Sequence, residues 1–123
     1  FVLPRITVLV VEDELLIRMS LVLYLADEGF EVFEAGNADE GIAILEAQPG
    51  IRILFTDIDM PGSMDGLKLA AAVRDRWPPI RMVVTSGHKL PNPSALSLGA
   101  TFFPKPYQLA KLALAFRELA AFD

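Results

Sequence analysis

A doubly wound α/β domain, a five-stranded parallel sheet between two helical layers, is predicted by three observations. Short apolar, β-branched runs alternate with stretches of helical periodicity along the whole chain. The first run, "ITVLVV", is continuously apolar, as expected of a strand covered on both faces. Right-handed crossovers between parallel strands must then place helices on both sides of the sheet. With 123 residues, 53% of them hydrophobic, the chain is long enough to bury one core, and residues 1–123 are expected to form a single domain.

The elements follow in order. Ile6 to Val11 is the first strand. From Glu14 to about Glu28, apolar residues including Leu15, Met19, Val22 and Leu23 recur at helical spacing, and Gly29 supplies a stop. "FEVFEA" alternates as a short second strand. "NADE" reads as a helix start, with Asn37 as N-cap and Glu40 placed to reach back. That helix runs to about Ala47 and ends before Pro49 and Gly50. "RILFT" and "RMVVT" are the third and fourth strands, joined by a helix from about Leu67 to Trp77 that Pro78 and Pro79 end. "LPNPSALSLGA" has room only for a short helix from near Pro93, closing at Gly99. "TFF" is a brief fifth strand, and Leu109, Leu112, Phe116 and Leu119 mark a last helix. No internal repeat, low-complexity tract or interdomain linker is visible.

Composition excludes several classes. A net charge of -5 disfavours a nucleic-acid surface, which needs a basic stripe to displace counterions. Without cysteine there is neither a disulfide framework nor a thiolate metal site. That fits a reducing compartment, and the expected location is the cytoplasm. No apolar run reaches the length of a membrane span, so no membrane role is expected. The first residue is Phe1 rather than Met, which suits a segment trimmed or cut from a longer protein.

Sheets of this kind bind ligands beyond the carboxyl ends of their strands, where the strand order switches. The residues leaving those ends are Glu12 and Asp13, Asp57, Thr85 and Ser86, and Lys105. Asp57 lies in "LFTDIDMPGSMDG", where an apolar strand runs into acids interleaved with turn residues. Three carboxylates on one rim raise one another's pKa unless a cation compensates, and a hard oxygen-seeking ion such as Mg2+ is the natural partner. The set lacks a Ser–His or Cys–His arrangement for acyl transfer. It suits phosphoryl transfer, with a carboxylate nucleophile, a metal, and Lys and Ser to hold the remaining oxygens.

Five pieces, "VLVVEDE", "TDIDMPG", "MDG", "VVTSG" and "KPY", resemble the receiver domain of two-component response regulators, the CheY-like family. They occur in the family's order, at close to its spacing, over nearly the full chain. The resemblance implies a flavodoxin-like sheet of order 2-1-3-4-5. It implies that Asp57 is the phosphoacceptor, charged by a histidine kinase or histidine phosphotransfer protein. Glu12, Asp13 and Asp57 would hold Mg2+ together with the backbone carbonyl of Asp59, and Lys105 would pair with the phosphoryl group. Ser86, which precedes Gly87, is implied as the switch hydroxyl, with Thr85 the second candidate. Phe102, three residues before Lys105, occupies the aromatic switch position, and the Lys105–Pro106 bond is implied to be cis.

Three departures from the family pattern stand out. "MPGSMDG" carries an extra residue, so the loop after Asp57 is expected to be remodelled. The fourth helix is expected to be stunted. Phe102 has no hydroxyl, so the output face is expected to be unusual while the chemistry is intact. Taken singly, Glu12 and Asp13 also suit a helix start, Asp57 a turn, and Lys105 a solvated loop charge. His88, the only histidine, reads as an exposed loop residue with no essential role. Two rival readings remain. "ILFTDIDM" resembles the motif of haloacid-dehalogenase-type phosphatases, with Asp57 as nucleophile and Asp59 as acid/base. However, that motif belongs on a first strand, and neither a cap insertion nor an acidic motif after Lys105 is present. The other rival is a pseudo-receiver, an interaction module whose pocket is never phosphorylated.

Overall fold

The computed structural model describes residues 5–60, 65–88, 90 and 92–121. Strands β1 (Thr7–Val11), β2 (Glu31–Ala35), β3 (Ile53–Asp57), β4 (Arg81–Ser86) and β5 (Thr101–Pro104) alternate with helices. The helices are α1 (Leu15–Asp27), α2 (Ala38–Ala47), α3 (Gly66–Arg76), α4 (Pro93–Ser97) and α5 (Leu109–Ala120). All strand pairings are parallel and the order is β2-β1-β3-β4-β5, as predicted.

Alternation along each strand divides the core into two layers. Val8, Val10, Ile53, Phe55 and Val83 pack with Leu21 and Leu25 of α1 and with Leu112 and Phe116 of α5. Leu9, Val11, Leu54 and Val84 pack on the other face with Leu45 of α2, Leu69 and Val73 of α3, and Ala95 of α4. Hence β1 and β3 are buried at every position. The edge strand β5 is buried at none.

Local chemistry sets the ends of the helices. Asn37 Oδ1 accepts from Glu40 N at 2.8 Å, and Glu40 Oε1 reaches back to accept from Gly36 N at 2.8 Å. Asp65 caps α3 by accepting from Lys68 N at 2.9 Å, and that helix starts one residue earlier than predicted. Gly29 and Gly99 take positive φ of 98° and 80° just past α1 and α4, where a side chain would be strained. Helix α4 is as short as predicted, five residues with Pro93 in its first turn, and it buries only Ala95. The predicted remodelling of the loop after Asp57 falls on residues 61–64, outside the described residues.

The apolar spacing that marks α1 does not lie wholly against the sheet, because Leu15, Leu16, Met19 and Leu23 are exposed and Leu21 and Leu25 are buried instead. The helix is apolar nearly all round, so periodicity alone did not say which side faces the core. Among the described residues, no helix is long and apolar enough to cross a membrane.

The start of α3 lies hard against the end of β3. A Cβ on Gly66 would sit 2.3 Å from the carbonyl oxygen of Asp57 and 2.7 Å from Ile58 Cα. Those are backbone atoms and cannot rotate away. We therefore expect Gly66→Ala to lower stability by about 2 kcal/mol or more in urea unfolding. Gly50→Ala, with nothing within 4 Å of its added carbon, should stay within about 0.5 kcal/mol of the parent. Equal effects of the two substitutions would show that this close approach is not what requires Gly66.

Candidate functional site

Parallel register brings four strand ends together. Val11 lies beside Thr56, Asp57 beside Thr85, and Ser86 beside Pro104. The ladder continues past the strands, because Ile58 N donates to Thr85 O at 3.0 Å and Lys105 N donates to Ser86 O at 2.8 Å. Glu12 and Asp13 follow β1, Asp57 ends β3, Ser86 ends β4 and Lys105 follows β5. Every predicted rim residue therefore reaches one side of the sheet.

Asp57 is 5% exposed and held at both oxygens. Its Oδ1 accepts from Asp59 N at 2.8 Å, and its Oδ2 is ion-paired with Lys105 Nζ. The Lys105–Pro106 peptide is cis, as the resemblance implied. Carboxylate oxygens of Glu12, Asp13 and Asp57 all lie within 4.8 Å of one another. Glu12 is 1% exposed; its Oε2 accepts from Glu14 N at 3.2 Å, while its Oε1 is buried without a partner. A buried orphan oxygen beside two further carboxylates fits a hard cation, which would satisfy it and offset the clustered charge.

The hydroxyls separate the two switch candidates. Thr85 Oγ1 donates to Phe103 O at 2.7 Å, an interaction within the sheet. Ser86 Oγ faces the loops, donating to Asp59 Oδ2 at 3.0 Å and accepting from His88 N at 3.1 Å. This difference favours Ser86 over Thr85. Phe102 is half-buried against the α2–α3–α4 layer and Phe103 against the α1–α5 layer.

Three contributors were not foreseen. The Asp59 side chain, where the resemblance implies a role only for the carbonyl, bridges to Ser86 and to Gly87 N. Arg18 braces the acid loop, donating from Nη1 to Glu12 O at 2.7 Å and pairing through Nε with Glu34 at 3.1 Å. Tyr107, with Ile17, Lys105 and Pro106, lines a shallow, mainly apolar cleft of about 400 Å³ beside the site. A basic residue one turn beyond an acid pair was a visible cue for Arg18. The Asp59 bridge had none, since it depends on which loops become neighbours.

The electrostatics follow from burial and proximity. Burial first, then the neighbouring Asp13 side chain and the charge of Asp57, push the Glu12 carboxyl up to about 7 against the opposing Glu14 amide and Lys105. For Lys105, burial works to lower the ammonium, but the hydrogen bond and charge of Asp57, with Glu12 and Asp59 behind, prevail and raise it. The Tyr107 phenol is pushed up to about 12 by burial and then by the charges of Glu12 and Asp57.

Comparison with known proteins shows the family and the fold. The model of the response regulator receiver domain family matches residues 8–117. The sensor kinase CckA of Brucella abortus is 36% identical over 118 residues, covering 92% of this chain and 12% of that protein. An NtrX-like response regulator of Rickettsia bellii is 33% identical over 117 residues, covering 92% of this chain and 24% of that protein. The chain thus spans well under two thirds of the length of these curated relatives. The crystal structure of a CheY-like receiver domain protein from Methanospirillum hungatei superposes with a TM-score of 0.86 at 26% identity, covering 96% of each chain. NtrX from Brucella abortus, solved with ADP, gives 0.85 at 32% identity, over 96% of this chain and 27% of that one.

Glu12 makes a testable demand on stability. Its carboxyl titrates near 4.5 when ordinary and near 7 when folded, so between those values the folded state holds the extra proton. Stability is then fully present below about 4.5 and falls as pH rises through 7, by on the order of 3 kcal/mol in the metal-free protein. Urea unfolding in EDTA at stepped pH should show that fall, and Glu12→Gln should flatten it. A profile that Glu12→Gln leaves unchanged over this interval contradicts the assignment.

Proposed function

This chain belongs to the response regulator receiver domain family, and on that footing we propose that Asp57 accepts a phosphoryl group from a histidine kinase or histidine phosphotransfer protein. Residues 1–123 form one receiver unit in this reading, in the cytoplasm. The observation that carries it is the clamp on Asp57, with an amide on one oxygen, an ammonium on the other and two further acids alongside.

Asp57 needs no base to activate it, because an ionised carboxylate has no proton to lose. One of its oxygens attacks phosphorus as the donor's P–N bond breaks, the electron pair stays on the departing imidazole nitrogen, and an acyl phosphate remains. The Asp59 amide and Lys105 hold the carboxylate in place, and Lys105 is within reach of the incoming phosphoryl oxygens. Mg2+, which the family uses in general, would be held by Glu12, Asp13, Asp57 and the Asp59 carbonyl and would supply positive charge to the transferring group. His88 has no part in the chemistry. Receiver domains are generally not enzymes, and the phosphatase reading needs Asp59 free as an acid/base. One of its oxygens, Oδ2, instead accepts from both Ser86 Oγ and Gly87 N.

The α1 surface suits the docking of such a donor. Leu16 is 77% and Leu23 68% exposed, with Leu15 and Met19 beside them, and the stripe begins immediately after the acid pair. An apolar helical face next to the reacting carboxylate is the complement of an amphipathic helix that carries a phosphohistidine. On phosphorylation Ser86 and Lys105 turn toward the new oxygens, and Phe102 follows by packing alone.

Incubation with acetyl phosphate and Mg2+ should add one phosphoryl mass to the intact protein, and none when EDTA replaces the metal. Asp57→Asn should abolish the gain, and full labelling of that variant would falsify the assignment. Amide NMR shifts on adding beryllofluoride and Mg2+ should change most at Ser86, His88 and Thr101 to Tyr107. Large changes in α2 with a silent β4–β5 region contradict this route for the signal.

A further inference from the structure

The Asp59 side chain has no place in the phosphoryl chemistry above, yet one oxygen of this exposed carboxylate is engaged twice. Its Oδ2 accepts from Ser86 Oγ and from Gly87 N, each at 3.0 Å. A serine hydroxyl has a single proton to donate, and here that proton is committed to Asp59. The Ser86 oxygen also accepts from His88 N at 3.1 Å, so the hydroxyl is fixed on both sides. Ser86 is 1% exposed, so solvent offers it little alternative.

We propose that the Asp59 side chain is a latch: it holds the Ser86 hydroxyl in the resting arrangement, and phosphorylation of Asp57 has to compete that hydroxyl away. The inference rests on the reading of Asp57 as phosphoacceptor and adds a positioning residue to it. A hydroxyl bound to a carboxylate is charge-assisted, and so is one bound to a phosphoryl oxygen, so the exchange replaces one strong bond by another. Gly87 N also donates to Asp59 Oδ2, so the carboxylate would keep a partner if Ser86 departed. The Asp59 amide meanwhile binds Asp57 Oδ1 at 2.8 Å, which puts the latch one residue's backbone away from the reacting group. Asp59 therefore sets how far the resting arrangement lies below the phosphorylated one.

Removing Asp59 also removes a negative charge near the phosphoryl group, and a double-mutant cycle separates the two effects. Beryllofluoride affinity in Mg2+ would be measured for the wild type, Asp59→Ala, Ser86→Ala and the double variant. Asp59→Ala should tighten binding about 3- to 10-fold when Ser86 is present. In the Ser86→Ala background the gain should be clearly smaller, because only the charge effect remains. Asp59→Asn keeps an acceptor without the charge and should fall between wild type and Ala. Equal gains in both backgrounds, or no gain in either, overturn the latch. In the metal-free protein, Gly87 and His88 amides should exchange faster in Asp59→Ala, and unchanged exchange also overturns it. Failure of the wild type to bind beryllofluoride overturns the phosphoacceptor reading and this role with it. The exchange experiment needs no phosphoryl mimic, so the two failures are told apart.

Discussion

The ion pair between Lys105 and Asp57 is the constraint on which the rest of the rim depends. Asp57 is nearly buried, with two more acids beside it, and the Lys105 ammonium is ion-paired with its carboxylate. Strand β4 lies between β3 and β5, so the lysine reaches across two strand spacings, roughly 10 Å. A long, flexible stem with a compact charge meets that demand. Truncating it would leave the buried Glu12 and Asp57 carboxylates uncompensated, a far larger cost than losing a surface pair.

The sheet makes that reach reproducible. Strands β1 and β3 are apolar on both faces, and each face has its own helical layer, so the register among β1, β3 and β4 cannot slip without exposing a core. Close packing of α3 on the end of β3 explains the glycine at position 66, and the Asp65 cap holds that helix start in place. Arg18 performs a similar service on the other side, tying the Glu12 carbonyl to β2 through Glu34. The acids are thus fixed by backbone and by salt-bridged side chains.

What could be read from the sequence follows from how local each feature is. Continuous β-branched runs identify β1, β3 and β4, and Asn37 marks a helix start, because these signals lie within a few residues of their effects. The rim set of Glu12, Asp13, Asp57, Ser86 and Lys105 was legible once the strands were, since parallel topology brings their carboxyl ends together. The buried side of α1 was not legible, because a helix that is apolar all round carries little directional information. Nor was the Asp59 bridge to Ser86, which spans 27 residues of sequence and exists only because the loops after β3 and β4 are neighbours. Gly66 is intermediate: its place before an apolar helical stretch was visible, whereas the carbonyl that forbids a side chain there was not.

The contrast between β3 and β5 indicates how a change at Asp57 would leave the site. Strand β3 has neighbours on both edges and is buried throughout, so its displacement would disturb two layers at once. Strand β5 pairs only with β4 and is half-exposed, and it ends in Pro104, which has no N–H to contribute to a ladder. Helix α4 offers little resistance either, with one short turn and a single buried alanine. Lys105 attaches the Asp57 carboxylate to that weakly held edge, and Phe102 and Phe103 link the same strand to both core layers. A force applied at Asp57 therefore moves what is cheapest to move, and that is the β5 edge rather than the central sheet.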